Sequence, residues 1–238
     1  MRLIRILLLL ILPVFIFSAC ILKPSAPAKP SPTPEPKTIE LKPEEKPYLS
    51  LIPSADGHWL KLKIDNISNF ITQIEYELIY RAVDNQSEIE KGLGDTVKEI
   101  QGNRVERDLL MGTSSCTNGC KYKYDTGITG GNLSLTFITP NSEPLSYETP
   151  FILKTGTELK KDKILALSEE NFTINLSNPG SDYFLLLKNY GYPKNPTISS
   201  VYSVFSSGSG LGKVISIKPE GFTKENLNLL IGDYLLSL

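Results

Sequence analysis

Several short constellations in this 238-residue chain carry residue types that could do chemistry. Cys116-Thr117-Asn118-Gly119-Cys120 sets two thiols on either side of an Asn-Gly turn pair, so a disulfide can close the mouth of the turn in an oxidising compartment. A redox dithiol and half of a metal site are the sharper alternatives. The thioredoxin-like motif, however, separates its cysteines by two residues rather than three, and no second cysteine pair or histidine cluster is present to complete a tetrahedral shell. The spacing therefore favours a structural staple, worth about 2 kcal/mol or less because so small a ring constrains few unfolded conformations. His58 is the only histidine and would have to serve any Ser-His-Asp or Cys-His arrangement. It stands in Asp56-Gly57-His58-Trp59, and no serine has the Gly-x-Ser-x-Gly surroundings of a nucleophile elbow, so a solvated or packed turn residue is expected.

Three further stretches invite a functional reading. Gly208-Ser209-Gly210-Leu211-Gly212-Lys213-Val214 has glycines and a lysine but not the spacing of a phosphate-binding loop, and Val214 stands where a magnesium-binding hydroxyl should be. It reads as a hairpin turn followed by a strand. Glu169-Glu170, with Asp182, could supply a carboxylate pair for glycoside hydrolysis, but a solvated turn between the strands Ile164–Leu167 and Phe172–Leu176 is the plainer explanation. Tyr190 and Tyr192 lie in the Gly/Pro-rich stretch Asn189 to Pro196, where two rings on a connection could stack on a sugar or an extended peptide. The alternative is that both rings fold back onto the domain. No catalytic residue, metal site or cofactor is expected.

The elements that must position these residues have a period of two. Leu60, Leu62 and Ile64 alternate with Lys61 and Lys63, and the same alternation recurs in Ile74–Tyr80, Leu133–Phe137 and Phe172–Leu176. Each is a half-buried strand with one wet face. Turn signals such as Asp56-Gly57, Asp84-Asn85, Gly130-Gly131-Asn132 and Asn178-Pro179-Gly180 separate them. Only Thr223 to Leu236 offers a helical spacing, through Leu227, Leu229, Leu230 and Tyr234. The pattern predicts an all-β fold of short antiparallel strands packed as sandwiches. The charged stretch Lys154 to Lys163 reads as a junction, placing one sandwich at 48–154 and a smaller β-rich domain at 155–238.

The N-terminal part is different in kind. Arg2 and Arg5 precede an apolar run of twelve residues, Ile6 to Phe17, then Ser18, Ala19 and Cys20. This is the layout of an export signal, and the run is too short for the roughly 20 residues that cross a bilayer. The four residues Phe17-Ser18-Ala19-Cys20 resemble the lipobox of bacterial lipoproteins, with Phe17 where leucine is usual. The resemblance implies that residues 1–19 are removed and that Cys20 carries a diacylglycerol thioether. An ordinary signal peptide that leaves Cys20 as an odd thiol is the alternative. Two or three acyl chains hold a protein at a membrane far longer than one.

Between this segment and the strands, residues 20–47 hold eight of the seventeen prolines among Ser, Ala, Lys and Glu. Such a stretch favours extended polyproline II and reads as a disordered tether that lifts the domains from the membrane.

Trp59 on an early strand followed by the tyrosine-alternating strand Tyr76–Tyr80 is similar to immunoglobulin and fibronectin III sandwiches, without their inter-sheet cysteine pair. That likeness implies an architecture and no function. The whole arrangement resembles uncharacterised bacterial surface lipoproteins, which implies the bacterial cell envelope, with an extracellular protein or glycan as ligand.

Charge excludes one class of partner. The chain has 25 basic and 26 acidic side chains, and without Arg2 and Arg5 the mature part has 23 against 26, a formal −3. Nucleic acid, which demands a basic face, is not expected. The expected function is a lipid-anchored extracytoplasmic protein displaying binding or structural domains, with a hydrolase of glycans or peptides as the alternative.

Overall fold

Alternating apolar residues place one side of a strand in water and the other in a core, and in the computed structural model β-strands such as Trp59–Asp65, Gln73–Asp84 and Phe172–Ser177 are built on that alternation. It describes residues 40–140, 143–192, 200–208, 212–226 and 232–237. The expected leader, Cys20 and most of the tether fall outside these residues. Residues 36–238 belong to one compact unit.

The fold is all-β and antiparallel. An eight-stranded sheet forms its centre. In spatial order it contains β15 (Phe222–Asn226), β16 (Gly232–Ser237), β13 (Ser200–Ser206), β12 (Tyr183–Asn189), β9 (Leu145–Thr155), β8 (Thr126–Ile138), β3 (Gln73–Asp84) and β4 (Ser87–Val97). A three-stranded sheet of β1 (Tyr48–Pro53), β2 (Trp59–Asp65) and β5 (Val105–Leu110) and another of β10 (Ile164–Leu167), β11 (Phe172–Ser177) and β14 (Lys213–Lys218) complete the layers. A separate hairpin is made by β6 (Gly112–Ser115) and β7 (Lys121–Tyr124).

There are two cores, and they share the central sheet. On β12 the run Phe184-Leu185-Leu186-Leu187 is wholly buried. Leu185 and Leu187 enter the core that contains Leu49, Leu60, Leu62 and Leu78, while Phe184 and Leu186 enter the one that contains Leu165, Phe172 and Ile174. Successive side chains on a strand point to opposite faces, so the two cores lie on opposite faces of the central sheet. Around the expected boundary at 154/155 the chain does not leave this sheet, since β9 pairs with β12 from Phe151 to Thr155.

The stretch expected as a junction is a short helix, α1 (Gly156–Asp162). Thr155 Oγ1 accepts from the Glu158 N–H at 3.2 Å, and a Glu158 carboxylate oxygen accepts from the Thr155 N–H at 2.7 Å, a reciprocal capping box. Leu159 is fully buried in the second core.

Three further expectations need correction. The helical spacing expected over Thr223 to Leu236 gives way at both ends to strands, because β15 and β16 pair with each other and β16 pairs with β13 over Ser200–Phe205, while Leu227, Leu229 and Leu230 lie outside the described residues. Ladder bonds to an existing sheet outweigh a loose helical period. The connection after Gly208 is not a hairpin, because β14 pairs with β11 in the second small sheet and not with β13. The tether ends earlier than Pro47. Leu41 and Pro47 are buried, Pro43–Glu45 forms a 3-10 turn, and the Asn66 side-chain amide donates to the carbonyls of Glu44 at 2.9 Å and Lys46 at 3.2 Å.

The edge of β1 is held by a side chain that imitates a strand. Asn189 accepts from the Leu49 N–H at 2.8 Å and donates to the Leu49 carbonyl at 2.7 Å and to Ser203 Oγ at 3.0 Å. A buried amide satisfied in this way costs nothing in lost hydration bonds and fixes the small sheet to the large one.

Candidate functional site

The cysteine pair lies at the tip of the β6–β7 hairpin. Cys116 and Cys120 are joined by a disulfide that closes the Thr117–Gly119 turn, with their Cα atoms 4.1 Å apart. Gly119 takes φ +86°, a left-handed value that glycine adopts without strain. Beyond the tip, Lys121-Tyr122-Lys123-Tyr124 alternates along β7, which puts both tyrosines on one side and both lysines on the other. Below it, the Met111 N–H donates to the His58 carbonyl at 2.9 Å, and the Asp125 N–H to the Met111 carbonyl at 3.0 Å. These bonds fix the hairpin base to the start of β2.

Here the tyrosines meet the turn that carries the histidine. The rings of Tyr124 and His58 stack with centroids 3.8 Å apart and planes within 1°. Tyr122 runs nearly parallel to Tyr124, 6.1 Å away, and meets Trp59 edge to face at 5.7 Å. Tyr122 and Tyr124 are 45% and 37% exposed, so this is an open aromatic row rather than a core.

The turn under His58 is rigidly made. Asp56 Oδ1 accepts from Ser54 Oγ at 2.6 Å and from the His58 N–H at 3.0 Å, and its other oxygen lies 3.2 Å from His58 Nδ1. The Ser54 hydroxyl and the His58 amide hold the Asp56 carboxyl below the usual carboxylate range. Although Ser, Asp and His are all present, the serine bonds to the acid and not to the imidazole. These bonds build a turn and do not activate a nucleophile. Gly57, at φ +72°, lies against the ring of Tyr183, where a Cβ would come within 2.4 Å of Cζ.

A pocket of about 230 Å³ opens beside the row, lined among others by Asp56, His58, Thr129, Leu153, Glu158 and Tyr183. Asp125 forms part of its wall and is itself fully engaged. Its carboxylate accepts from Tyr80 Oη at 2.6 Å and from Lys91 Nζ at 2.5 Å. Burial pushes the Asp125 carboxyl up, but the bonds from Lys91 and Tyr80 outweigh it and hold the group below its ordinary value. Burial, and then the bond to Asp125, push the Tyr80 phenol well above its own.

The residues expected at a site are placed elsewhere or otherwise occupied. Tyr190 folds back onto the first core, stacked on Tyr147 at 4.4 Å and facing Phe137 at 6.1 Å, with the Lys46 ammonium 5.4 Å from its ring centre. Tyr192 is 8% exposed. The two rings thus pack against the sandwich and do not form an open platform; residues 193–196 of that loop lie outside the described residues. Glu169 and Glu170 sit in the turn between β10 and β11, where Glu170 pairs with Lys188 at 2.7 Å and accepts from Tyr202 Oη at 3.3 Å. Among the described residues no group of three or more His, Cys, Asp or Glu side chains is placed to hold a metal ion.

Sequence reasoning missed Tyr122 and Tyr124. The available signal was the Lys-Tyr-Lys-Tyr alternation directly after a closed turn, which places two rings on one side of an exposed strand. No family model, curated protein or solved structure matches the chain, so the functional reading is drawn from the chain's own chemistry.

Proposed function

We propose that this chain is a bacterial lipoprotein, held through lipid on Cys20 at the extracytoplasmic face of a membrane, that displays a β-sandwich binding domain on a proline-rich stalk. The observation that carries the reading is the run of Arg2, Arg5, the apolar segment and Phe17-Ser18-Ala19-Cys20, followed directly by the proline-dense stretch. A disulfide in an exposed hairpin supports it, because such a bond persists in an oxidising compartment outside the cytosol. The fully formed turn under the aromatic row supports binding over scaffolding: four rings are gathered where water reaches them, and no core is gained by it.

Metabolic labelling with an alkyne fatty acid in an expressing bacterium tests the anchor. The protein is expected to take up label and to sediment with membranes, and Cys20→Ala to do neither. Equal labelling of the two, or an unlabelled protein in the medium, would overturn the anchoring.

A further inference from the structure

We infer that the aromatic row on the disulfide hairpin, with the pocket beside it, is a binding site for a neutral glycan. The inference rests on the binding half of the reading above and is independent of the lipid on Cys20.

A sugar ring presents two chemistries at once, an apolar face of C–H groups and a rim of hydroxyls. The row answers the first. Tyr122 and Tyr124 offer nearly parallel rings with centroids 6.1 Å apart, Tyr124 backed on one face by the His58 ring and Tyr122 set edge to face with Trp59. Tyrosines give large contact area with little side-chain entropy to lose. The hairpin holding them is closed by a disulfide at its tip and fixed by backbone bonds at its base, so little ordering remains to be done on binding.

The pocket answers the second. The Asp56 carboxylate is 57% exposed and kept ionised by Ser54 and the His58 amide, which makes it a standing acceptor for a sugar hydroxyl. Thr129 and Tyr183 add hydroxyls, and Leu153 supplies an apolar floor.

Charge selects among glycans. The carboxylates Asp56 and Glu158 line the pocket, while Lys121 and Lys123 point to the opposite side of β7 from the rings. An anionic polymer would meet like charge where its sugars stack; a neutral one would not. A peptide would seek apolar side-chain pockets, and the exposed large side chains of the row itself are both tyrosines.

The test is native electrophoresis of the full mature chain in detergent, through gels containing soluble β-glucan, galactomannan or, for contrast, anionic alginate, and in parallel retention on an immobilised unfolded peptide. Retardation by at least one neutral polysaccharide is expected. Tyr122→Ala and Tyr124→Ala should each weaken it about tenfold or more, with far-UV circular dichroism unchanged and only a small fall in melting temperature, since each loses aromatic contacts but no core packing. Ile215→Ala, on exposed β14, should bind as the wild type does. Cys20→Ala should also bind normally, which separates failure of the anchor from failure of the glycan site. Reduction of the disulfide provides a second perturbation and should weaken binding without unfolding the protein. Retardation by no neutral polysaccharide, by alginate alone, or to the same extent in the tyrosine variants would overturn the assignment. Retention on the peptide, lost in Tyr122→Ala, would overturn it in favour of a protein ligand.

Discussion

Asp125 shows how a single side chain links the candidate site to stability. Its carboxylate is 7% exposed and holds Tyr80 and Lys91 together beside the pocket. Because its folded pKa is lowered, the stabilisation is fully present above the unfolded value of about 3.9 and is lost as pH falls through the folded value. Asp125→Asn removes the charge and with it about 1.5–3 kcal/mol of charge-assisted bonding near neutral pH. Urea unfolding at pH 6 and pH 3 should therefore show a smaller acid loss in Asp125→Asn than in the wild type. An equal loss in both proteins would show that the carboxylate contributes nothing specific. Gly57 is a second such position. Gly57→Ala combines a left-handed backbone with a collision against Tyr183, so a loss of about 1–3 kcal/mol is expected in the same assay.

At the scale of elements, β12 and the β6–β7 hairpin are opposites. β12 is buried on both faces, and truncation on either face leaves a cavity in a different core. Leu185→Ala and Leu186→Ala should each cost about 2–5 kcal/mol. Since both residues belong to one strand of one sheet, each variant should still unfold in a single transition, read by tryptophan fluorescence from Trp59 and by far-UV circular dichroism together. Two separated transitions would mean that the cores fold independently. The hairpin, by contrast, is mostly exposed and buries little. Reducing Cys116–Cys120 should lower global stability by about 2 kcal/mol or less, the chain-entropy value for so short a ring. A cooperative unfolding of the whole domain on reduction would contradict this account of the hairpin as a pinned appendage.

These elements also show what could be read from the sequence and what could not. The half-buried strands are legible because Leu60-Lys61-Leu62-Lys63-Ile64 and Ile74–Tyr80 alternate cleanly, and each strand turns one row of side chains inward and the other toward solvent. β12 gave no alternation because it has no wet face, and a continuous apolar run fits a buried strand or a helix equally. α1 was hidden by its charges, although Thr155 and Glu158 carry a capping-box spacing. β15 and β16 are hard to read because they flank a stretch with a loose helical period, and nothing in the local sequence reveals the sheet that receives the two strands. Tyr190 and Tyr192 are plausible binding residues by composition, but the packing of Tyr190 depends on Tyr147 and Phe137, which lie far away in sequence.

The whole molecule divides its tasks along the chain. Residues 40–238 contain a sandwich with two cores on one sheet, and an aromatic row is set on a hairpin outside both. Residues 1–39 carry the export pattern, Cys20 and seven of the seventeen prolines. The proposal is that the first part binds and the second part holds it at a membrane, and both parts leave a chemical mark on the mature protein. Intact mass spectrometry of the protein purified from membranes, before and after reduction, reads those marks together. The expected result is a chain beginning at Cys20, heavier by diacylglycerol and acyl groups, whose mass rises on reduction by the two hydrogens of the Cys116–Cys120 bond. A chain that begins elsewhere, or begins at Cys20 without lipid, would contradict it.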